Sequence, residues 1–330
     1  MLRVLGLLAL CVVAGIAMAG VPSPARALEI KCTSMMDIAL SHAVVNHATT
    51  ESLGAAGKSC RVQVTSKPAP GAEIRVEVWI PVGGAWNGKF VQIGSGGFAG
   101  LGRSQALIAL ATRGYAAAST EYGRQGGDTV WAPKEATDIA KTLIASIKGG
   151  PPTRSYFDGC GDGGREALVE AQRFGGDFDG IVAGSPSSPD GAPGDLRGLR
   201  GHGGKLVQYS SAADPSAPAH AAIAYYEGLA QTASDTAGFY RLYLVPGAEH
   251  CAAAGPGIVD WLSVLDRWSA GDGAPGGIVA TAGQGGGAGP LLCPYPQTAL
   301  PRAGGGGDRC ASPAAPTAAK PPPHRRRPRH

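Results

Sequence analysis

Beyond its N-terminal segment, the sequence has no run of about 18 consecutive apolar residues, the length that a helix needs to cross a membrane. In the N-terminal segment an apolar run of 13 residues, 4–16, follows Arg3. A basic residue before a short apolar run is typical of a secretory signal peptide, and small-residue cleavage sites end at Ala19 and Ala27. We therefore expect residues 1–27 to be a signal peptide and the mature chain to be secreted or periplasmic. An uncleaved membrane anchor is the alternative.

The sequence also lacks a C-x-x-C pair, which makes zinc binding or thiol redox chemistry the weaker interpretation of its seven cysteines. Cys11 lies in the predicted signal peptide, which leaves an even number in an oxidising compartment. These are Cys32, Cys60, Cys160, Cys251, Cys293 and Cys310. Six cysteines allow many pairings, and counting does not choose among them.

Excess positive charge is absent from the body of the chain. The formal net charge is +4, but five cations lie in the last eleven positions, so residues 1–319 carry −1. This balance excludes a basic nucleic-acid-binding domain, and we expect no nucleic-acid partner and no stable membrane span. Glycine (52) and proline (26) are abundant, but a hydrophobic content of 44% excludes a chain that is disordered throughout.

Segments typical of strands alternate with segments typical of helices, and no repeat of 20–50 residues is visible. Strands are predicted at residues 74–80, 89–93, 115–120, 154–157, 179–183, 205–209 and 240–245. Helices are predicted at residues 105–113, 137–148, 165–174, 220–231 and 258–270. Such alternation indicates the α/β class, with a mostly parallel, doubly wound sheet covered on both faces.

The composition changes after residue 270, where runs of glycine and proline interrupt every pattern. We expect an irregular segment held by Cys293 and Cys310, followed by a disordered, Pro- and Arg-rich tail at residues 311–330. The basic end of this tail could bind polyanions, although a solvated tail without function is the simpler interpretation.

The turn at residues 159–163, Gly-Cys-Gly-Asp-Gly, lies between a predicted strand and a predicted helix. It fits the frame G-x-nucleophile-x-G of a nucleophile elbow, which aims its central residue over the carboxyl edge of a sheet. The central residue here is Gly161, which has no nucleophilic side chain. A Gly-rich turn between a strand and a helix is a weak signal by itself.

Two downstream residues stand in the order that α/β-hydrolases use, which is nucleophile, acid, histidine. Asp214 and His250 each follow a predicted strand, so both suit the carboxyl edge of the sheet. Cys160 precedes Gly161 and Cys251 follows His250. A disulfide between these cysteines would hold their Cα atoms about 5.5 Å apart and make Gly161 and His250 neighbours.

The arrangement Cys160-[nucleophile], Asp214, His250-Cys251 resembles the CS-D-HC motif of the tannase and feruloyl esterase family. Further matching segments lie in one order at residues 86–90, 96–100, 113–116, 155–157, 163–165, 170–174, 178–184, 203–206 and 293–296. The resemblance covers about residues 30–310. It implies an α/β-hydrolase domain at residues 28–310 and a secreted serine esterase that cleaves small aromatic esters, such as galloyl, hydroxycinnamoyl or terephthalate esters.

The resemblance also implies a role for each site residue. Position 161 would hold the nucleophilic serine, His250 would be the general base, and Asp214 would orient it. Backbone N–H groups of Asp162, Gly96 and Gly97 would form the oxyanion hole. The expected disulfides are Cys160–Cys251, Cys293–Cys310 and Cys32–Cys60.

The sequence departs from the family pattern at two places. Gly161 replaces the serine, and residues 185–202 stand where the family inserts a large lid, usually with a calcium site. Asp190 and Asp195 in this short segment do not make a cage of oxygen ligands, so we expect no metal, no cofactor and an exposed groove. The alternative hypothesis is an inactive member that binds aromatic esters, or a decayed product without a role.

Overall fold

The computed structural model describes residues 31–95, 101–122, 131–187, 194–211, 214–248, 250–252, 257–283, 286–301 and 307–312. Several predictions fall outside these ranges. They concern the signal peptide at residues 1–27, the oxyanion donors Gly96 and Gly97, the acid Asp190, and residues 313–330 of the tail.

A nine-stranded sheet forms the centre of the molecule, in the order β1-β2-β3-β5-β4-β6-β7-β8-β9. The strands are β1 (Ala43–Ser52), β2 (Lys58–Ser66), β3 (Ile74–Pro81), β4 (Lys89–Ile93), β5 (Ala116–Tyr122), β6 (Arg154–Cys160), β7 (Gly180–Gly184), β8 (Lys205–Ser211) and β9 (Tyr240–Val245). Strands β1, β2, β3 and β5 pair antiparallel in that order. From β5 through β4 to β9 every pairing is parallel. The sheet is therefore mostly parallel, as predicted.

Helices cover both faces of this sheet. They are α1 (Arg103–Thr112), α2 (Trp131–Lys148), α3 (Asp162–Arg173), α4 (Arg197–Gly201), α5 (Ala219–Thr232), α6 (Thr236–Phe239) and α7 (Trp261–Ala270). Buried side chains of α2, α3 and α5 belong to one apolar cluster, and those of α1 and α7 belong to a second. Two separate clusters are the packing that a doubly wound sheet requires. In the described part of the chain no helix is both long and apolar enough to cross a membrane.

The strand order reverses between β4 and β6. From β4 the chain passes through α1 to β5 on one side, and through α2 it returns to β6 on the other side. In open α/β sheets such a reversal opens a crevice at the carboxyl ends of the strands, where ligands bind. Strand β6 ends in this crevice at Cys160, one residue before Gly161.

The segment after α7 differs from its prediction. Strand β10 (Ile278–Ala282) pairs with β11 (Gly287–Leu292), and β12 (Thr298–Pro301) pairs with β13 (Asp308–Ala311). The predicted irregular segment is thus two small antiparallel hairpins. The Cys293–Cys310 bond joins one hairpin to the other, and a bridge between Tyr243 and Pro294 fastens this segment to the body. Ala311, which the composition assigns to the tail, is the last residue of β13.

Candidate active site

The turn between β6 and α3 has the backbone of a nucleophile elbow, with Gly161 at its centre. Gly161 has φ +63° and ψ −118°, a conformation that residues with a side chain rarely adopt. Its amide donates to the carbonyl of Gly184 (2.9 Å), and its carbonyl accepts from the amides of Arg165 (3.0 Å) and Ser187 (3.0 Å). Backbone hydrogen bonds therefore hold the turn in place, and glycine adopts it without the steric cost of a Cβ.

Two neighbouring glycines allow the strand and the helix to meet this closely. A Cβ on Gly159 would lie 2.3 Å from the carbonyl oxygen of Gly163, and one on Gly164 would lie 2.2 Å from that of Gly184. Both distances are far shorter than van der Waals contact. The Gly-rich frame of the sequence is therefore a requirement of backbone packing at this turn.

Asp214 and His250 lie together at the carboxyl ends of β8 and β9. The Nδ1 atom of His250 donates to Oδ2 of Asp214, and the amide of Ser216 donates to Oδ1 over 2.8 Å. The Asp214 side chain is 2% exposed, whereas that of His250 is 43% exposed. Burial works to raise the pKa of the Asp214 carboxyl, but the hydrogen bond from His250 and amide hydrogen bonds outweigh it, so this pKa lies below its ordinary value. An ionised, buried acid thus orients a solvent-accessible imidazole.

The Cys160–Cys251 disulfide joins the elbow to the histidine loop, with the two Cα atoms 5.6 Å apart. The Nε2 atom of His250 lies 2.8 Å from the position of an ideal Cβ on Gly161. The structure thus brings together Gly161, Asp214 and His250, as the sequence predicts. The other two pairs, Cys32–Cys60 and Cys293–Cys310, are also bonded.

Sequence reasoning missed the side chains that support the histidine loop. The hydroxyl of Ser211 donates to the carbonyl of Ala248, and the hydroxyl of Tyr209 donates to the carbonyl of Cys251 over 3.4 Å. The Tyr209 ring stacks on Trp261 at a centroid distance of 5.1 Å. Buried polar groups need hydrogen-bond partners, so tyrosine and serine near the end of a buried strand were the available signal.

The predicted oxyanion donor Asp162 is the first residue of α3. The first amides of a helix have no intrahelical acceptor, so they are available to a developing negative charge above the elbow. The carboxylate of Asp162 accepts a hydrogen bond from the hydroxyl of Ser187 over 2.5 Å. Its acidic side chain is therefore held by a neighbouring turn while its backbone begins the helix.

Glu166 is a further residue that sequence reasoning missed, and it contacts the chain next to the other predicted oxyanion donors. The amide of Ser95, directly before Gly96, donates to the carboxylate of Glu166 over 2.9 Å. Glu166 lies on α3 and is only 5% exposed. This contact ties the end of β4 to the helix that follows the elbow. A glutamate in the first turns of a helix that follows a Gly-rich turn gave no distinctive sequence signal.

Three potential metal ligands, Cys160, His250 and Cys251, lie within 4.8 Å of one another in the described part of the chain. Both sulfur atoms belong to one disulfide, whereas a cysteine ligand binds metal as a thiolate. The group is therefore a histidine beside a disulfide and not a metal centre.

Asp195 is the acid of the short segment at residues 185–202 that the structure describes. Asp195 is exposed, and its carboxylate accepts from the Arg197 guanidinium over 2.7 and 2.9 Å. Calcium takes about 6–8 oxygen ligands, whereas this carboxylate is occupied by a cation. Asp190 lies outside the described residues.

The fold is that of the α/β-hydrolases. The chain superposes on the crystal structure of feruloyl esterase B from Aspergillus oryzae with a TM-score of 0.71 and 15% sequence identity, over 85% of this chain and 99% of that chain. Tannin acyl hydrolase from Aspergillus niger gives a TM-score of 0.67 and 15% identity, over 83% of this chain and 92% of that chain. At this identity the likeness establishes the fold alone.

Sequence comparison places the chain in a family. An uncharacterised esterase of Xanthomonas campestris is 42% identical over 145 residues, which cover 39% of this chain and 25% of that protein. The chain thus matches only about a quarter of that relative's length. The family model described as tannase and feruloyl esterase matches residues 60–190 and 188–313. These matches span more than half of the sequence and include the elbow, Asp214 and His250, so the chain belongs to the tannase and feruloyl esterase family.

Proposed function

We propose that the chain is a secreted carboxylic ester hydrolase that acts on small aromatic esters at the site formed by Gly161, Asp214 and His250. The observation that carries this proposal is the hydrogen-bonded His250–Asp214 pair, which a disulfide holds against the centre of the elbow. A general base beside a nucleophile position is the arrangement of acyl-transfer enzymes.

The roles proposed for the residues follow from the chemistry of ester hydrolysis. His250 accepts a proton at Nε2, because Nδ1 donates its own proton to Asp214. The amide of Asp162 stabilises the oxyanion that forms from the ester carbonyl, together with Gly96 and Gly97. In a Ser-His-Asp mechanism the hydroxyl at position 161 would attack the carbonyl carbon, and water would later release the acyl group.

Family resemblance supports an aromatic acyl group, such as a galloyl or feruloyl group. The curated relatives include a protein named probable feruloyl esterase from Arthroderma benhamiae, 34% identical over 151 residues. The exposed imidazole of His250 supports a site that is open to a flat, rigid ester. Residues 185–202 are a short remnant at the place of the family lid. We therefore expect no lid to contact the alcohol part of the ester.

Export is part of this proposal. The basic residue and apolar run at the N-terminus favour a signal peptide that is cleaved after Ala19 or Ala27. The described cysteines form three disulfides, which persist in oxidising compartments.

The second candidate function is binding of aromatic esters without hydrolysis, and Gly161 favours it. In a serine protease, removal of the catalytic serine lowers kcat by about 10⁶. A member with glycine at this position could retain recognition while losing the acyl-enzyme route.

One comparison of variants separates the two functions. The native chain, Gly161→Ser and His250→Ala are assayed on ethyl ferulate, methyl gallate and a short nitrophenyl ester, with binding of ethyl ferulate measured by calorimetry. His202→Ala is the matched control, because His202 is exposed and lies in the turn after α4. His250-dependent hydrolysis by the native chain supports the hydrolase. Binding by the native chain without such hydrolysis supports the second function, and a folded Gly161→Ser chain that neither binds nor hydrolyses contradicts both.

A further inference from the structure

The imidazole of His250 lies too close to Gly161 for a side chain to begin there without displacing it. An ideal Cβ on Gly161 lies 2.8 Å from Nε2 and 3.6 Å from Cε1 of His250. Real Cβ atoms essentially never show a contact under 3.0 Å. In a serine triad, Nε2 instead bonds a hydroxyl oxygen that lies beyond the Cβ. The His250 ring is therefore seated for a glycine at this position, and any side chain there requires the ring to withdraw.

In the His250 imidazole, Nε2 is the proton acceptor and faces the elbow. Asp214 is ionised at neutral pH because its pKa is held below the ordinary value, so it accepts the Nδ1 proton. This tautomer leaves the lone pair of Nε2 directed at the region above Gly161. The His250 side chain is 43% exposed, so water reaches this atom.

The described side chains around the elbow that could attack an ester are either bonded to another group or buried. The sulfur atoms of Cys160 and Cys251 are bonded to each other. The hydroxyl of Ser187 donates to the Asp162 carboxylate, so these two groups face each other. Ser185 is fully buried at the end of β7. Among these described groups none offers Nε2 a free nucleophile, so we take the nucleophile from solvent.

We propose that His250 activates a water molecule directly, and that this chain cleaves its ester by direct attack of water, without an acyl-enzyme. The inference rests on the proposed function, because it assumes that the ester binds over Gly161. The water oxygen bonds to the carbonyl carbon while its proton passes to Nε2 of His250. The carbon–oxygen bond to the alcohol then breaks, and the alkoxide takes the proton back from His250. The products are the carboxylic acid and the alcohol, and no group is oxidised or reduced.

Glycine has a specific part in this mechanism. Because it has no side chain, the space above residue 161 is left for a water molecule next to the imidazole. The α3 amide at Asp162 remains beside that place as an oxyanion donor. Two groups thus do the work of the family's serine. They are a water molecule as nucleophile and an imidazole that lies close to Gly161.

The first test uses the native chain with a short nitrophenyl ester. We expect slow hydrolysis without an initial burst, and a rate that His250→Ala lowers by about 10²-fold or more. Treatment with an organophosphonate that labels activated serines should leave the intact mass of the native chain unchanged, whereas Gly161→Ser should gain one adduct. A native rate equal to that of His250→Ala, or an acyl or phosphonyl adduct on the native chain, overturns the inference.

The second test uses Gly161→Ala, which adds a Cβ and no nucleophile. The Cβ displaces the imidazole of His250, so we expect the rate of ester hydrolysis to fall by about tenfold or more. Gly203→Ala is the matched control, because Gly203 also has a positive φ (+82°) but has nothing within 4 Å of its Cβ position. Gly203→Ala should hydrolyse the ester at the native rate. Equal rates for Gly161→Ala and the native chain overturn the inference.

Failure of this mechanism and failure of the proposed function give different results. Suppose that Gly161→Ser hydrolyses ethyl ferulate and that the native chain hydrolyses it no faster than His250→Ala. Direct attack of water is then wrong, and the proposed ester site is retained. If neither chain hydrolyses or binds ethyl ferulate, the proposed function itself is wrong. Thermal unfolding of each variant shows that it is folded, and the His250→Ala and mass measurements decide the matter even where Gly161→Ala does not fold.

Discussion

The two halves of the site differ in what they contribute. The histidine half consists of side chains, with Asp214 buried, His250 hydrogen-bonded to it, and Tyr209 and Ser211 holding the loop. At the centre of the elbow half, Gly161 contributes only backbone, namely a positive φ and three amide–carbonyl hydrogen bonds. The elbow therefore keeps its shape without a nucleophile, because backbone packing sets it. The geometry of the base depends instead on buried polar side chains, each of which a single substitution can remove.

The largest expected effect comes from the histidine half. Asp214→Asn, introduced into the Gly161→Ser chain, should lower kcat on the nitrophenyl ester by about 10⁴-fold, because an amide stabilises the wrong imidazole tautomer. Asp195→Asn is the matched control, since Asp195 is exposed and contacts Arg197. If the two variants were equally active, Asp214 would not orient the base, and the contrast between the halves would lose its chemical meaning.

The disulfide that joins the two halves should carry the next largest effect, on folding stability. Replacing Cys160 and Cys251 by alanine opens a loop of sequence separation 91, which in the chain-entropy model removes about 4–5 kcal/mol from the free energy of unfolding. The Cys293–Cys310 bond closes a separation of 17, and its removal should cost about 3 kcal/mol. Urea unfolding of both double variants measures the difference. A larger loss at Cys293–Cys310 would show that loop length does not set the stability of these links.

The helix of the elbow half carries a buried acid whose charge opposes folding. Glu170 on α3 is fully buried, and both carboxyl oxygens lack a hydrogen-bond partner. Burial raises its pKa from 4.5 to about 8, and Asp177 and Glu166 add to the effect of burial while Lys134 opposes it. The folded state therefore binds this proton more tightly than the unfolded state.

The sign of the pH dependence follows from that shift. The contribution of Glu170 to stability is fully present below pH 4.5, falls as the pH rises, and is lost above about pH 8. Glu170→Gln should therefore be more stable than the native chain at pH 9 by about 2 kcal/mol or more, with little gain at pH 4. Urea unfolding across this range measures it, with the exposed Glu73→Gln as control. A gain that does not change with pH would mean that Glu170 is charged in the folded protein.

The smallest expected effect is the strain that a serine brings to the elbow. Gly161→Ser should lower the free energy of unfolding by about 1–3 kcal/mol, because a residue with a Cβ is strained at φ +63°. Gly203→Ser carries similar strain without the contact to His250, so the difference between the two variants isolates the displaced imidazole. If Gly161→Ser were the more stable of the two, the serine hydroxyl would bond His250 strongly enough to outweigh both costs.

Most elements of the parallel half were predictable from periodicity. The strand at residues 240–245 matches β9 at both ends, and the strand at residues 89–93 matches β4. A buried parallel strand is a short apolar run in the sequence, and a helix places apolar residues every three or four positions. Both patterns are local. The antiparallel hairpin of β1 and β2 was not predicted, because its residues are partly exposed and its pairing is decided by the neighbouring strands.

Element boundaries departed from prediction where tertiary contacts decide them. Helix α2 begins at Trp131 rather than at residue 137, and its first turns are held by the Trp131–Phe174 ring contact and by the pair of Lys134 with Asp177. Helix α7 begins at Trp261 because the Asp260 side chain accepts from the amide of Ser263 and caps it. The first case depends on partners far along the chain, which local patterns do not contain.

The sequence by itself determined the order of strands and helices, the glycines that the elbow needs, and the residue types of the histidine half, because each depends on local pattern or on backbone sterics. It also supplied the cysteines on either side of the site. Only the tertiary structure decided that Nε2 of His250 lies 2.8 Å from the position of a Cβ at residue 161. That placement depends on distances between atoms of loops that the Cys160–Cys251 bond joins across 91 positions, and no local pattern specifies such distances.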